Sequence, residues 1–152
     1  MLQDIEIKPK VGLSNLHFGA SMKDAEKFLG KPEEVELLDE EDGFSTSVWH
    51  YWQKGYSLFF NAEHNNVFSC VEIDNQDSKL WGTKVFELSE NELQELFKKN
   101  GHTNIEREDQ EWGETRVSFD DLLVDCYFEN GRLVSINYGI YIDNNRVLIL
   151  PN

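Results

Sequence analysis

Apolar residues recur along this chain with two different periods. Met22, Ala25, Phe28 and Leu29 stand at helical spacing after Ser21, and Gly30 and Pro32 stop the run. Ser21, with Asp24 three residues on, supplies an N-cap, so a short amphipathic helix is predicted. The pattern returns further on. Ser89 and Glu92 have capping-box spacing, Leu93, Leu96 and Phe97 form an apolar stripe, Lys98 and Lys99 sit at the negative end, and Gly101 is the stop. Leu88 and Leu93 add a hydrophobic staple.

Between and after these helices the period falls to two, the mark of half-buried strands. The offset that carries Ser21 onto Ser89 also carries Leu58 and Phe60 onto Cys126 and Phe128. Beyond that point AEHNN turns the first copy and NGR the second. A hairpin two residues shorter then pairs Ser69 with Ser135. Such self-similarity predicts an internal repeat. Each unit reads as a helix and about three strands, too thin to enclose a core alone. The acidic stretches EEVELLDEED and EREDQEWGE read as exposed loops, and YIDNNRVLIL, turning at Asn144 and Asn145, as a further hairpin strand. The fold expected is α+β: two tandem helix-plus-antiparallel-strand repeats sharing one curved sheet with helices on one face. It would be one domain over residues 1–152, with repeats at about 12–74 and 81–138 and a C-terminal hairpin strand at 139–150.

The opening GLSNLHFG, the capped short helix ending LGKP and the later strand pair resemble the tandem-repeat fold of the β-lactamase inhibitory protein. They also resemble the small bacterial outer-membrane assembly lipoproteins that hold one such unit. The chain departs from these in lacking a lipoprotein signal and a cysteine pair to staple each repeat. The resemblance implies the fold and a role in gripping another protein with the open sheet face.

Strand alternation divides the residues between two faces. The apolar set of the second copy is Val117, Phe119, Val124, Cys126, Phe128, Val134 and Ile136. Its counterparts His50, Trp52, Tyr56, Leu58, Phe60, Phe68 and Cys70 are therefore expected toward the helices. The open face would then carry Trp49, Tyr51, Phe59 and Val71 from one copy, and Arg116, Asp125, Tyr127, Glu129 and Asn137 from the other. Clusters of aromatic residues and arginine are what protein interfaces enrich, and cover by the C-terminal strand, a loop or a second subunit is the equal alternative.

Composition narrows the partners. The 152 residues hold 29 acids against 14 bases, a net charge of −15, and 39% hydrophobic residues suffice for one core. Such acidity disfavours nucleic-acid phosphate and anionic lipid, and would steer in a basic protein. Glu40, Glu41 and Asp42, with Glu108, Asp109 and Glu111, are the candidate steering acids; a solvated, self-repelling surface is the plainer alternative. The longest aliphatic run, Val147 to Leu150, falls far short of the roughly 18 residues of a membrane span. The N-terminus has no secretory h-region, so a cytoplasmic location is expected. Cys70 and Cys126, each in a strand-like run, read as buried free thiols, with a disulfide between them the alternative.

Catalytic signatures fail one by one. His17, His50, His64 and His102 make no H-E-x-x-H, and neither phosphate-loop pattern occurs. The GAS at Gly19 to Ser21 lacks the second glycine of a nucleophile elbow, because Lys23 stands there. A calcium loop around Gly43 would place Leu38 and Trp49 where acids are needed. No cofactor or metal is expected. The leading expectation is a non-enzymatic protein-binding module, of inhibitor or immunity type, for a basic partner. The alternatives are an enzyme whose acids converge in the sheet concavity around a small ligand or metal, and a homodimer that buries the aromatic face.

Overall fold

A computed structural model describes residues 5–39, 45–61, 66–110 and 113–140. Strands β1 (Glu6–Lys8), β2 (Gly12–Leu13) and β3 (Leu16–His17) precede helix α1 (Met22–Leu29), which leads into β4 (Glu34–Asp39), β5 (Ser45–Tyr51), β6 (Tyr56–Asn61) and β7 (Val67–Ile73). Next come β8 (Lys79–Leu80), β9 (Thr83–Lys84), a 3-10 turn at Val85–Glu87 and helix α2 (Glu90–Lys99). The described chain finishes with β10 (Ile105–Asp109), β11 (Glu114–Phe119), β12 (Val124–Glu129) and β13 (Arg132–Gly139).

The helices form where their caps place them. Ser21 Oγ accepts from Asp24 N at 3.1 Å, and Gly30, at φ 82°, ends α1 by donating to Glu26 O. In α2 both halves of the capping box close, Ser89 N to Glu92 Oε1 at 3.0 Å and Glu92 N to Ser89 Oγ at 3.2 Å. Each helix buries only a narrow stripe: Ala25 and Leu29 in one, Leu93 and Phe97 in the other. Phe28, expected on the buried stripe of α1, is 50% exposed.

The expected α+β class is corrected. Among the described residues strand accounts for 49% and helix for 17%, and the strands form two sheets of eight and five, not two helix-plus-strand repeats sharing one sheet. There are two causes. Parts of both acidic stretches read as loops are strands, β4 and β10, and among the described residues they form the two edges of the large sheet, whose order is β10-β11-β12-β13-β7-β6-β5-β4. The N-terminal residues and the connection after β7 build the second sheet, β3-β2-β1-β8-β9, in which β1 and β8 run parallel.

The small sheet and both helices share one hydrophobic cluster with one face of the large sheet. Leu13, Leu80, Leu93, Phe97, Phe60 and Phe128 all belong to it. Backbone bonds tie the layers: Gly19 N to Phe68 O at 2.7 Å, and Phe68 N to Ala20 O at 2.8 Å. The phenol of Tyr138 donates to Gly12 O at 3.0 Å within the interior. At the seam between β13 and β7, Gly139 brings the strands close. A Cβ there would lie 2.6 Å from Ser69 O.

Among the described residues no helix is long and apolar enough to cross a membrane. The expected C-terminal hairpin strand lies outside the described residues from 141 onward.

Candidate functional site

Register decides which side chains reach the open face, and it reverses several expectations. Trp49 pairs with Leu58 and Tyr51 with Tyr56, so both point into the core with the apolar residues of β6. Trp49 packs its ring 4.9 Å from Phe60, and Tyr51 is buried with its hydroxyl donating to Gly30 O at 2.9 Å. His50, assigned above to the core, faces the other way, and Trp52 lies in the turn after β5 with 58% of its surface exposed. The repeat alignment was one residue out along β5, and a one-residue slip turns every side chain to the opposite face.

Val71 and Cys70 are exchanged for a different reason. A bulge lets Phe59 pair with Cys70 and Phe60 with Phe68, so Ser69 is the extra residue and the alternation restarts after it. Val71 is fully buried in the core, and Cys70 lies on the open face. Cys126 points into the core, so the two thiols, both free, stand on opposite faces of the sheet. A matching bulge in β13 puts Leu133, instead of Val134, in the core.

Of the residues assigned to the open face, Phe59, Arg116, Asp125, Tyr127, Glu129 and Asn137 lie there. Arg116 Nη2 donates to Glu108 Oε2 on β10 at 2.8 Å, and Ser118 Oγ donates to Asp125 Oδ1 at 2.6 Å. Tyr127 is half-buried, and its phenol is pushed upward by burial first and by the Asp125 carboxylate second. Arg116 Nε and Asn137 Oδ1 are buried with no hydrogen-bond partner. In register, Glu72, Glu106, Glu108, Glu114, Asp125 and Glu129 line this face against Arg116 and Arg132, which leaves it acidic.

Of the steering acids, Glu108 and Asp109 are exposed on β10 but already paired. Asp109 accepts from Arg107 at 3.0 Å and from Thr115 at 2.8 Å, and these contacts hold its carboxyl below the usual range. Glu40, Glu41, Asp42 and Glu111 lie outside the described residues.

Three strands are joined by a polar chain that was not foreseen. Glu36 on β4, His50 on β5 and Ser57 on β6 line up, with His50 Nε2 at 2.9 Å from Glu36 Oε1 and His50 Nδ1 at 2.7 Å from Ser57 Oγ. A carboxylate only accepts, so Nε2–H donates to Glu36, and Nδ1 pairs with the Ser57 hydroxyl. A carboxylate, an imidazole and a hydroxyl in a row are the groups a nucleophilic serine uses. Ser57, however, is 7% exposed and in ladder register with both His50 and Glu72, not on the sharp turn that presents a nucleophile. What the chain does is tie edge strand β4 to the sheet interior. Trp52 adds to it, stacking on His50 at 4.1 Å with its ring planes 9° apart and donating Nε1–H to Glu34 at 3.3 Å. Beside His50, Trp52, Ser57 and Glu72 lies a cavity of about 140 Å³. No group of three or more His, Cys, Asp or Glu suited to a metal ion exists among the described residues.

The two edges of the large sheet differ sharply. On β10, Glu106, Arg107, Glu108 and Asp109 are all exposed and charged, the usual way of blunting an edge. On β4, Val35 is 54%, Leu37 66% and Leu38 38% exposed. Val35 and Leu37 lie on the helix side of the sheet, the side of exposed Phe28, while Glu34 and Glu36 lie on the open side. Alternation in EVELLD was the available signal, masked by reading the whole acidic stretch as a loop. No family model, curated protein or solved structure matches this chain.

Proposed function

We propose that this chain is a non-enzymatic protein-binding module, of inhibitor or immunity type, whose partner presents a basic surface. The observation that carries this reading is the concentration of exposed apolar side chains on one edge strand, Val35, Leu37 and Leu38, with glutamates between and beside them. Val35 and Leu37 share the helix face and Leu38 stands on the open face beside Glu36, and an edge that exposes apolar side chains among acids matches a partner that is cationic and partly apolar. The acidic open face and the net charge of −15 point the same way. Charge of this kind accelerates encounter more than it strengthens the complex.

The test is photo-crosslinking from position 37 and, as a control, from Glu95 on exposed α2 surface in an extract of the source cells. Purification of the captured protein and calorimetry with the intact chain follow. The reading expects a stoichiometric complex with a basic protein that weakens as salt rises. A purified candidate that fails to bind, or a chain that sediments as a dimer through this edge, overturns it.

A further inference from the structure

We propose that β4 is a strand-addition site and that its occupant is an extended segment of the partner in which basic and apolar residues alternate. This mode rests on the protein-binding reading above and specifies how that partner is held.

Among the described residues β4 has no ladder partner on its outer side, and an edge strand of that kind presents a row of unpaired backbone N–H and C=O groups. At six residues, β4 offers roughly 20 Å of such edge, enough for a short added strand. Most proteins blunt such an edge with charge; on β10 every residue from Glu106 to Asp109 is charged, whereas β4 leaves Val35, Leu37 and Leu38 exposed among its acids. β4 is also held in place before any partner arrives. Glu36 is fixed through His50 to Ser57, Glu34 accepts from Trp52, and Glu33 Oε2 accepts from Gln53 N at 2.8 Å. An edge already in strand geometry spares the ordering cost that binding otherwise incurs.

The pleat then dictates the occupant. Side chains of an added strand stand beside those of β4 on the same face. On the open face its residues meet Glu34 and Glu36, with Leu38 at the end of that row, and on the helix face they meet Val35 and Leu37. Lysine or arginine suits the first set and a β-branched or aromatic residue the second. A second copy of this chain fits poorly. Pairing β4 with itself about a two-fold axis keeps faces matched and sets Glu34 and Glu36 of one copy beside those of the other, between molecules that each carry −15.

The probe is a synthetic peptide of sequence Lys-Val-Lys-Val-Lys-Thr-Lys, compared with one of the same composition with its lysines in a single block. Fluorescence anisotropy follows binding to the full chain at low and high salt, and amide exchange locates it. The alternating peptide should bind at least tenfold tighter than the block peptide and slow exchange at 34–38. Leu37→Lys should weaken it at least tenfold with the melting temperature unchanged, while Glu106→Lys on β10 should change affinity less than threefold. Equal binding of the two peptides, indifference to Leu37→Lys, or protection on β10 or the open face overturns strand addition. If the crosslinked partner still binds when the peptide does not, only the mode falls; if neither binds, the functional reading falls with it.

Discussion

Phe59 and Phe60 are neighbours in sequence on opposite faces of β6, so truncating each in turn tests the register directly. Phe60 has no exposed surface, and its ring lies 4.9 Å from Trp49 and 6.2 Å from Phe68. Phe60→Ala removes that ring from a closed interior and should cost roughly 3–5 kcal/mol, transfer and cavity together. Phe59 is half-buried on the open face, where water can fill the space. Fully burying such a side chain contributes about 1.5–3 kcal/mol, so Phe59→Ala should cost about 1 kcal/mol. In a chain of this size each kcal/mol lowers the melting temperature by roughly 2–4 °C, which separates the two variants by about 4 °C at the least. Urea unfolding followed by tryptophan fluorescence gives the free energies, provided the slope m is the same for both. Equal costs, or a larger cost at Phe59, would refute the face assignment and with it the placement of His50, Cys70 and Val71.

Other outcomes follow from the same geometry. Burial pushes the Tyr51 phenol up to about 12 and the Cys70 thiol up to about 12, so the native state holds protons that the unfolded chain releases from about pH 9–10. Stability should therefore fall as pH rises through the range 10–12, seen as a declining urea midpoint; a flat profile there would contradict their burial. Gly139→Ala forces a Cβ to within 2.6 Å of Ser69 O at the β13–β7 seam and should cost roughly 1–3 kcal/mol by thermal melting. Glu36→Ala removes the anchor of β4 while leaving global stability within about 1 kcal/mol, because the carboxylate is half-exposed. Amide exchange should speed up in β4 and stay unchanged in β7; unaltered exchange in β4 would show the Glu36–His50–Ser57 chain to be incidental.

Local chemistry was legible in the sequence where one or two side chains determine it. Both helix starts, the stop at Gly30 and the two-residue Asn130–Gly131 hairpin between β12 and β13 all formed where turn and cap residues call for them. Most of the core residues in β6, β11 and β12 were legible too, because unbroken alternation carries them. What escaped depends on contacts between distant segments. No periodicity announces the bulge residues Ser69 and Val134, and they reverse the faces that follow them. The second sheet rests on two-residue strands such as Leu16–His17 and Lys79–Leu80, too short to leave a pattern. Acidity hid β4 and β10, since charge suggests a loop while an edge strand tolerates charge on both faces. The open face was located only in part: Phe59, Arg116, Asp125, Tyr127 and Glu129 lie on it, whereas Trp49, Tyr51 and Val71 support it from behind.

Association kinetics at two salt concentrations decide whether acidic charge steers a basic partner onto β4. With the crosslinked partner purified, stopped-flow mixing against the native chain and against Leu37→Lys separates the charge of the molecule from the grip of its edge. The on-rate of the native chain should fall by roughly 10- to 1,000-fold between low and high ionic strength, as steered encounters do. Leu37→Lys should raise the off-rate at least tenfold at either salt concentration. An association rate indifferent to salt, or a partner as acidic as this chain, would rule out steering and leave its acids as solubilising surface.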